Sequence, residues 1–307
     1  MAKQMKVLVV DPFDAKAINN LIKKFDVLVE LHPNRERLVD IIGDKDILIL
    51  RSGIQLDKPI IDQAKNLKLV ARAGNGMDNI DVDTLNSRGV SWFNVPALST
   101  RDVAEFTFGL ILSVARKIAC ADAYLRKNEW KKKEMIGTSL YGKVLGLVGY
   151  GKIAKEVASI AKAFGMPVSV YVRNYYNKTF ESGVLPVSFS YLLEKSDVIS
   201  LHVPLTDETT NLIAAEQLMS MKRSAFLINM SRGGIVNETD LYYALKNNVI
   251  AGAATDVFQV EKEYSKLFEL ENIVVTPHIG AMTLESQERI GEAVVKRIME
   301  FFGNEVD

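Results

Sequence analysis

The stretch LGLVGYGKIAKEVA, residues 145–158, joins a short apolar run, a glycine turn and the start of a helical pattern. Its Gly149-x-Gly151-x-x-Ala154 spacing matches the glycine pattern of dinucleotide-binding turns, with alanine at the third small position. The first glycine permits a tight turn, the second lets backbone approach a pyrophosphate, and the helix start offers N–H groups. The stretch therefore predicts a strand, turn and helix that bind a dinucleotide, and a purely structural glycine turn is the alternative.

Strand-like and helix-like stretches alternate on both sides of this turn. The apolar, strand-like runs before it are 6–11, 26–32, 46–51, 67–74 and 90–96. Those at and after it are 143–149, 167–172, 196–204, 224–230, 249–258 and 272–280. Segments with apolar residues at helical spacing separate them. This alternation predicts an α/β protein of two doubly wound parallel-sheet domains.

Two longer helical patterns are present. Residues 102–128 read as one helix, and a second amphipathic helix is predicted to start near Thr283. The buried face predicted for the first is Val103, Phe106, Leu110, Ile111, Val114, Ile118 and Ala121.

The composition excludes several classes of protein. The 307 residues carry 38 basic and 38 acidic side chains, so the charge balance gives no support to a nucleic-acid or membrane partner. The single cysteine, Cys120, cannot form an internal disulfide or a cysteine-based zinc site. The apolar run near the N-terminus is too short for a signal peptide, so a cytoplasmic location is expected.

Three histidines are the candidates for acid–base chemistry near neutral pH. His32, beside a proline, reads as a loop residue. His202 ends a predicted strand and is equally compatible with a structural or a cofactor-lining role. His278 also ends a predicted strand, and its residues alone leave a loop histidine and a catalytic acid–base open.

The acidic residue that usually follows the second strand and binds the adenosine ribose is missing here. In PVSVYVRNYYN, residues 167–177, Val172 occupies its place and Arg173 follows. A guanidinium would attract a 2′-phosphate, which favours NADP over NAD, whereas a surface cation is the plain alternative.

Several segments in order carry a family resemblance across nearly the whole chain. They are RSGIQLDKPII (51–61), LVARAGNGMDNIDVD (69–83), NVPALSTRDVAEFTFGLILSVAR (94–116), GLVGYGKIA (146–154), SDVISLHVPLTDETTNLI (196–213), FLINMSRGGIVNETDLYYAL (226–245), AGAATDVFQVE (251–261) and VVTPHIGAMT (274–283). Together they resemble the D-isomer-specific 2-hydroxyacid dehydrogenases. Within that family the RAGxGxDNID pattern and the short tail are most like a phosphoglycerate dehydrogenase without an appended regulatory domain.

The resemblance implies why the glycine turn comes so late. It implies a flavodoxin-like substrate domain, residues 1–98 and 282–307, into which a Rossmann-type cofactor domain, residues 99–281, is inserted. The active site is then expected in the cleft between them, and a homodimer is expected to form through the 102–128 helix.

The resemblance also assigns the chemistry. His278 is implied as the acid–base, Glu261 as the carboxylate that stabilises its imidazolium and fixes its tautomer, and Arg232 as the ligand of the substrate carboxylate. Lys262 departs from the proline that usually follows the glutamate, and Glu263 is a less favoured substitute for Glu261.

The remaining predicted site residues fall into two sets. The cofactor set is Gly149, Gly151, Lys152, Ile153, Val172, Arg173, His202, Val203, Pro204, Thr206, Met230, Ser231, Arg232, Asp256, His278 and Gly280. The substrate set is Arg51, Ser52, Asn75 and Gly76, with Arg72 as a further candidate for a distal group.

The implied activity is hydride transfer between NAD or NADP and a D-2-hydroxy acid or 2-keto acid. The expected pair is 3-phosphoglycerate and 3-phosphohydroxypyruvate, as in serine biosynthesis. An NADPH-dependent glyoxylate or hydroxypyruvate reductase, which Arg173 favours, is the alternative enzyme. An NAD(H)-sensing, co-repressor-like binding protein is the alternative from another class.

Overall fold

The computed structural model describes residues 4–173 and 179–303. The chain divides into two compact units, Met1–Ser99 with Met282–Asp307, and Thr100–Ala281. Residues 1–3 and 304–307 of the predicted substrate domain, and residues 174–177 of the segment 167–177, lie outside the described residues. The assignment of the units to substrate and cofactor stays a prediction.

Short strands alternate with helices throughout. The strands are β1 (Lys6–Val9), β2 (Asp26–Val29), β3 (Ile47–Leu50), β4 (Leu69–Arg72), β5 (Ser91–Asn94), β6 (Leu145–Val148), β7 (Val168–Tyr171), β8 (Val184–Pro186), β9 (Val198–Leu201), β10 (Phe226–Asn229), β11 (Gly252–Thr255) and β12 (Ile273–Val275). The helices are α1 (Ala15–Ile22), α2 (Arg35–Ile42), α3 (Lys58–Gln63), α4 (Val82–Ser87), α5 (Thr100–Ala115), α6 (Ile118–Arg126), α7 (Lys152–Ala163), α8 (Phe189–Lys195), α9 (Ala215–Ser220), α10 (Glu238–Lys246) and α11 (Leu284–Phe302).

The first unit contains a parallel sheet with strand order β2-β1-β3-β4-β5, the flavodoxin-like order. Strands β3 and β4 are buried along their whole length because helices cover both faces. Helix α11 returns to this unit, where Ile290, Val294 and Ile298 join its core. Thr283 caps α11 by accepting a hydrogen bond from the Ser286 N–H at 3.0 Å, so the predicted helix start is confirmed.

The second unit contains a parallel sheet with strand order β12-β11-β10-β9-β6-β7-β8. The chain runs from β6 outward to β8 and then crosses to β9 on the other side of β6, so the order reverses there. Such a reversal marks the crevice in which α/β sheets bind ligands, at the carboxyl ends of the strands. The glycine turn directly follows β6. The prediction of two doubly wound parallel-sheet domains is therefore confirmed.

The prediction of one helix over 102–128 is wrong. Lys117 adopts a left-handed φ of 54°, which ends α5 and turns the chain into α6. Helix α5 buries Val103, Leu110, Ile111 and Val114, as expected, and Phe106 is partly buried. The two residues beyond the break are not buried: Ile118 is 54% exposed and Ala121 is partly exposed.

Strand β8 was not predicted. It has three residues at the edge of the sheet, and Leu185 in its middle is exposed, so it lacks the apolar run that marks the buried strands. Within the described part of the chain, every helix is too short or too polar to span a bilayer.

Candidate active site

His278 lies in the turn that follows β12, and its ring contacts a carboxylate. Its Nδ1 is 2.5 Å from Oε1 of Glu261, so the imidazole and the carboxylate are in direct hydrogen-bond contact. His278 has a φ of 57°, a conformation that is costly for a non-glycine residue and that clusters at functional sites. Because Nδ1 is engaged, Nε2 is the ring nitrogen that remains for proton exchange with a ligand.

Glu261 is held in its ionised form. The hydrogen bond from His278 lowers the pKa of Glu261, burial opposes this, and the charges of His278, Lys262 and Arg232 lower the pKa further. An ionised Glu261 accepts a hydrogen bond from Nδ1–H and so fixes the tautomer of His278. The structure pairs the imidazole with Glu261 and not with Glu263, the substitute considered from the sequence.

Lys262 shows why a proline does not follow Glu261 in this chain. Its φ is 69°, whereas the proline ring restricts φ to about −65°. The departure from the family pattern therefore reflects a different loop conformation and leaves the carboxylate in place.

Arg232 lies in the turn after β10, and hydrogen bonds fix this turn to the ends of β9 and β10. The Ser231 hydroxyl donates to the Leu201 carbonyl at 2.6 Å, and the Asn229 amide donates to the Arg232 carbonyl at 3.1 Å. A Cβ on Gly233 would lie 1.8 Å from the Phe258 carbonyl oxygen. Only glycine therefore lets the Arg232 turn pack on the backbone that leads to Glu261.

Asp256, predicted to contact the cofactor, has a structural task that the sequence did not reveal. Its carboxylate accepts hydrogen bonds from the Thr276 hydroxyl at 2.6 Å and from the N–H groups of Ile279 at 2.9 Å and Gly280 at 2.8 Å. Burial raises the pKa of Asp256, and these hydrogen bonds oppose the rise. Asp256, which directly follows β11, thus fixes the turn that carries His278 through contacts 20 to 24 residues away along the chain.

The glycine turn has room for a pyrophosphate. Gly149 has a φ of 92°, and a Cβ there would lie 2.5 Å from the His202 carbonyl oxygen, so only glycine fits. Gly151 precedes α7 directly, and apart from its chain neighbours no described heavy atom lies within 4 Å of where its Cβ would be. Open space beside free helix-start N–H groups, here those of Lys152 and Ile153, suits an anionic diphosphate. The residues therefore fit a dinucleotide.

The segment after β9 contacts the glycine turn and contains His202. Burial lowers the pKa of His202 to about 4, and Nε2 lies 2.9 Å from the Ser200 hydroxyl. The ring is therefore neutral near pH 7, which leaves it a structural or lining role.

Thr209 orders the rest of the segment, since its hydroxyl donates to the Pro204 carbonyl at 2.6 Å and accepts from the Thr206 N–H at 2.7 Å. The flanking Val203 donates its N–H to the Ser231 hydroxyl at 3.2 Å.

Val172 and Arg173 follow β7, where the ribose is expected. Val172 is buried, so it contributes packing at that position. Arg173 forms an ion pair with Glu208 of the segment after β9, and both side chains are more than half exposed. A carboxylate is therefore close to the predicted ribose position, although it comes from another segment than the sequence pattern indicates.

At the strand ends of the second unit, two further predicted residues touch. A Cβ on Gly280 would lie 2.7 Å from Cε of Met230, so the segments after β10 and β12 are in contact. This places Met230 and Gly280 beside Asp256, at the same sheet edge as the His278 turn.

The predicted substrate residues Arg51, Ser52, Asn75 and Gly76 follow β3 and β4 in the first unit, at the carboxyl edge of its sheet. The backbone N–H of Arg51 donates to the carboxylate of Asp11 at 2.6 Å, and Asp11 is only 2% exposed. Asp11 was not among the residues predicted for the site. His32, interpreted as a loop residue, has its Nδ1 3.3 Å from the same carboxylate.

Arg72 is the one substrate candidate that lies inside the protein. It is 8% exposed in strand β4, whereas Arg51 lies beyond the end of β3 and donates to the side chain of Gln287. The structure therefore favours Arg51 over Arg72 as the ligand of a distal substrate group.

Comparisons with known proteins agree with this geometry. Residues 108–280 match the family model described as D-isomer specific 2-hydroxyacid dehydrogenase, NAD binding domain. The chain is 40% identical over 305 residues to a D-3-phosphoglycerate dehydrogenase of Methanocaldococcus jannaschii, covering 98% of this chain but 58% of that protein. It is also 40% identical over 306 residues to a hydroxypyruvate reductase of Thermotoga maritima, covering 97% and 98% of the two chains. A crystal structure of D-lactate dehydrogenase from Aquifex aeolicus, complexed with NAD and lactic acid, superposes with a TM-score of 0.87 at 28% identity and covers 97% and 96% of the two chains.

Proposed function

The chain belongs to the family of D-isomer-specific 2-hydroxyacid dehydrogenases, and from this membership we propose that it interconverts a D-2-hydroxy acid and a 2-keto acid with NAD or NADP. The observation that carries the proposal is the contact of His278 with Glu261 on the same sheet edge as the glycine turn. An acid–base beside a dinucleotide site is what hydride transfer at an alcohol carbon requires.

The nicotinamide, when bound, supplies or accepts the hydride. In the direction of reduction, Nε2–H of His278 donates a proton to the oxygen formed from the keto group, and in oxidation Nε2 accepts the hydroxyl proton. Glu261 stabilises the imidazolium that each turnover requires. Arg232 binds the substrate carboxylate through paired N–H donors and polarises the neighbouring carbonyl.

The proposed substrate pair is 3-phosphoglycerate and 3-phosphohydroxypyruvate, in serine biosynthesis. The position of Arg51 directly after β3 supports a substrate with a distal anionic group, because its guanidinium would bind a phosphate. The Methanocaldococcus relative is named a D-3-phosphoglycerate dehydrogenase. A hydroxypyruvate or glyoxylate reductase is the second candidate, favoured by the Thermotoga relative, which is named a hydroxypyruvate reductase and is 40% identical over 306 residues.

Initial rates decide between these substrates. The purified protein is assayed with phosphohydroxypyruvate, hydroxypyruvate and glyoxylate, each with NADH and with NADPH. We expect the highest kcat/KM with phosphohydroxypyruvate. A higher value for either unphosphorylated acid would select the second candidate, and no turnover of any pair would contradict the enzyme proposal.

Replacing Glu261 with glutamine tests which acid supports the histidine. Without the carboxylate the imidazolium is less stable, so we expect the rate of keto-acid reduction to decline at lower pH than in the wild type. A fall in kcat of about 10-fold at neutral pH follows from the poorer acid. Glu263→Gln is the matched control and should keep the wild-type pH profile. Equal profiles for Glu261→Gln and the wild type would contradict the assignment.

The Arg173–Glu208 ion pair bears on cofactor choice. Glu208 competes with a 2′-phosphate for Arg173, and its carboxylate also repels that phosphate. Glu208→Gln should therefore raise the ratio of kcat/KM with NADPH to kcat/KM with NADH. The expected increase is only about 3- to 10-fold, because the ion pair is exposed and solvent screens its charges. Asp207→Asn removes an equal charge from the neighbouring residue and is the control. The prediction fails if the two variants change the ratio equally or leave it unchanged.

We propose that the protein is a cytoplasmic homodimer. Ile118 and Leu125 lie seven residues apart on α6, so they share a helix face, and they are 54% and 56% exposed. Leu125→Glu is expected to convert a species of twice 34.2 kDa into one of 34.2 kDa in analytical ultracentrifugation. Met219→Glu, which alters another exposed apolar residue of the same unit, should remain dimeric. A monomeric wild type would contradict the proposal.

A further inference from the structure

A carboxylate outside the predicted site holds the loop that carries Glu261. Glu238 is the first residue of α10 and is partly buried. Its Oε1 accepts a hydrogen bond from the Gln259 N–H at 2.5 Å, and its Oε2 accepts one from the Ser265 hydroxyl at 3.2 Å. One side chain therefore joins the start of α10 to two points of the loop.

These two points bracket Glu261. Gln259 precedes it by two residues and Ser265 follows it by four, so both ends of the loop are fixed to one carboxylate. Between them Lys262 has a φ of 69°. A non-glycine residue keeps such a conformation only where surrounding contacts impose it, and the contacts of Glu238 are of that kind.

The same loop is also attached to the Arg232 turn. Gly233 packs on the Phe258 backbone, and α10 begins only six residues after Arg232. Ring contacts of Phe268 with Phe258 at 5.3 Å and with Tyr264 at 5.9 Å close the far side of the loop. Glu238 thus lies where the Arg232 segment and the Glu261 loop meet.

We propose that Glu238 is a positioning residue for the acid–base pair: it fixes residues 259–265 so that the Glu261 carboxylate reaches Nδ1 of His278. The inference rests on the proposed function. Glu238 affects the pH dependence of the reaction only through the position of Glu261. The other charged groups near the His278–Glu261 pair are Arg232, Lys262 and Asp256.

Four variants separate anchoring from net charge. Glu238→Ala removes both contacts. Glu238→Gln keeps them, because its amide oxygen accepts from the Gln259 N–H and its NH2 group donates to the Ser265 hydroxyl. Glu216→Ala removes an acid from the first turn of another helix, α9, and is the control. Ser265→Ala removes only one contact and provides a milder test of the same anchor.

Two measurements are made on the full chain. In keto-acid reduction, Glu238→Ala should lower kcat by about 10- to 100-fold with a smaller change in KM, as a displaced catalytic group does, and its rate should decline at lower pH than in the wild type. Glu238→Gln should stay near the wild type, and Ser265→Ala should fall between them. Hydrogen exchange of peptides spanning residues 258–266 should be faster in Glu238→Ala and unchanged in Glu216→Ala.

The proposal is overturned if Glu238→Ala keeps the wild-type kcat and pH profile, even where loop exchange increases. It is also overturned if Glu238→Gln is as impaired as Glu238→Ala, because charge and not anchoring would then matter. A wild type without turnover would refute the proposed function, whereas exchange in the variants would still show whether Glu238 anchors the loop.

Discussion

Replacing His278 with glutamine is expected to lower kcat by about 10²- to 10⁴-fold, the range that a positioned general acid–base contributes. Glutamine has a similar reach and hydrogen-bonding capacity, but its amide does not gain or lose a proton near neutral pH. The Glu261 carboxylate would retain a donor, so the loop should keep its place. Steady-state reduction of the best substrate of the initial-rate panel measures the loss.

Cofactor binding is the internal control for this variant. The glycine turn is formed by Gly149, Gly151 and the start of α7, none of which depends on the imidazole. NADH titrated by fluorescence should therefore bind His278→Gln with a Kd close to that of the wild type. A kcat within 10-fold of the wild type would remove His278 from the chemistry and favour a cofactor-sensing protein.

Gly233→Ala is expected to have an effect of similar size for a steric reason. The new Cβ would lie 1.8 Å from the Phe258 carbonyl oxygen and 2.6 Å from the Gln259 nitrogen. Both atoms are backbone, so no side chain can rotate away, and the Arg232 turn must separate from the segment that leads to Glu261. We expect kcat to fall by about 100-fold and the free energy of unfolding to fall by about 1–3 kcal/mol.

Gly109→Ala is the matched control for Gly233→Ala. Gly109 lies in the middle of α5, and apart from its chain neighbours and the backbone of its own helix no described heavy atom lies within 4 Å of where its Cβ would be. Alanine there should raise stability by about 0.5–1 kcal/mol, because glycine is the poorer helix former. Thermal unfolding and kcat are measured for both variants. Wild-type kcat in Gly233→Ala would show that the turn and the loop need not touch.

The sequence predicted the fold because its signals are local. Strand β6, the glycine turn and α7 follow from 14 consecutive residues, 145–158. Thr283 marks the start of the last helix because a cap acts within three residues. The same logic failed at Lys117, where spacing continued through a left-handed residue that no periodicity reveals.

Glu208 shows why a position-based rule is incomplete. No acidic residue follows the second strand of the unit, about 20 residues after the glycine turn, where the pattern places the ribose ligand. The sheet order instead brings the segment after β9 next to the glycine turn, and Glu208 pairs with Arg173 from there. Only the order of strands shows that an acid is close.

By itself, the sequence determined the two parallel-sheet units, the glycine turn and the family to which His278, Glu261 and Arg232 point, because each is encoded in residues close along the chain. Only the tertiary structure decided which groups touch: Glu261 with His278, Asp256 with the turn around Gly280, and Glu238 with the loop between. These partners lie 17 to 24 residues apart. Their contact depends on how parallel strands place their carboxyl ends side by side, and a linear pattern does not carry that information.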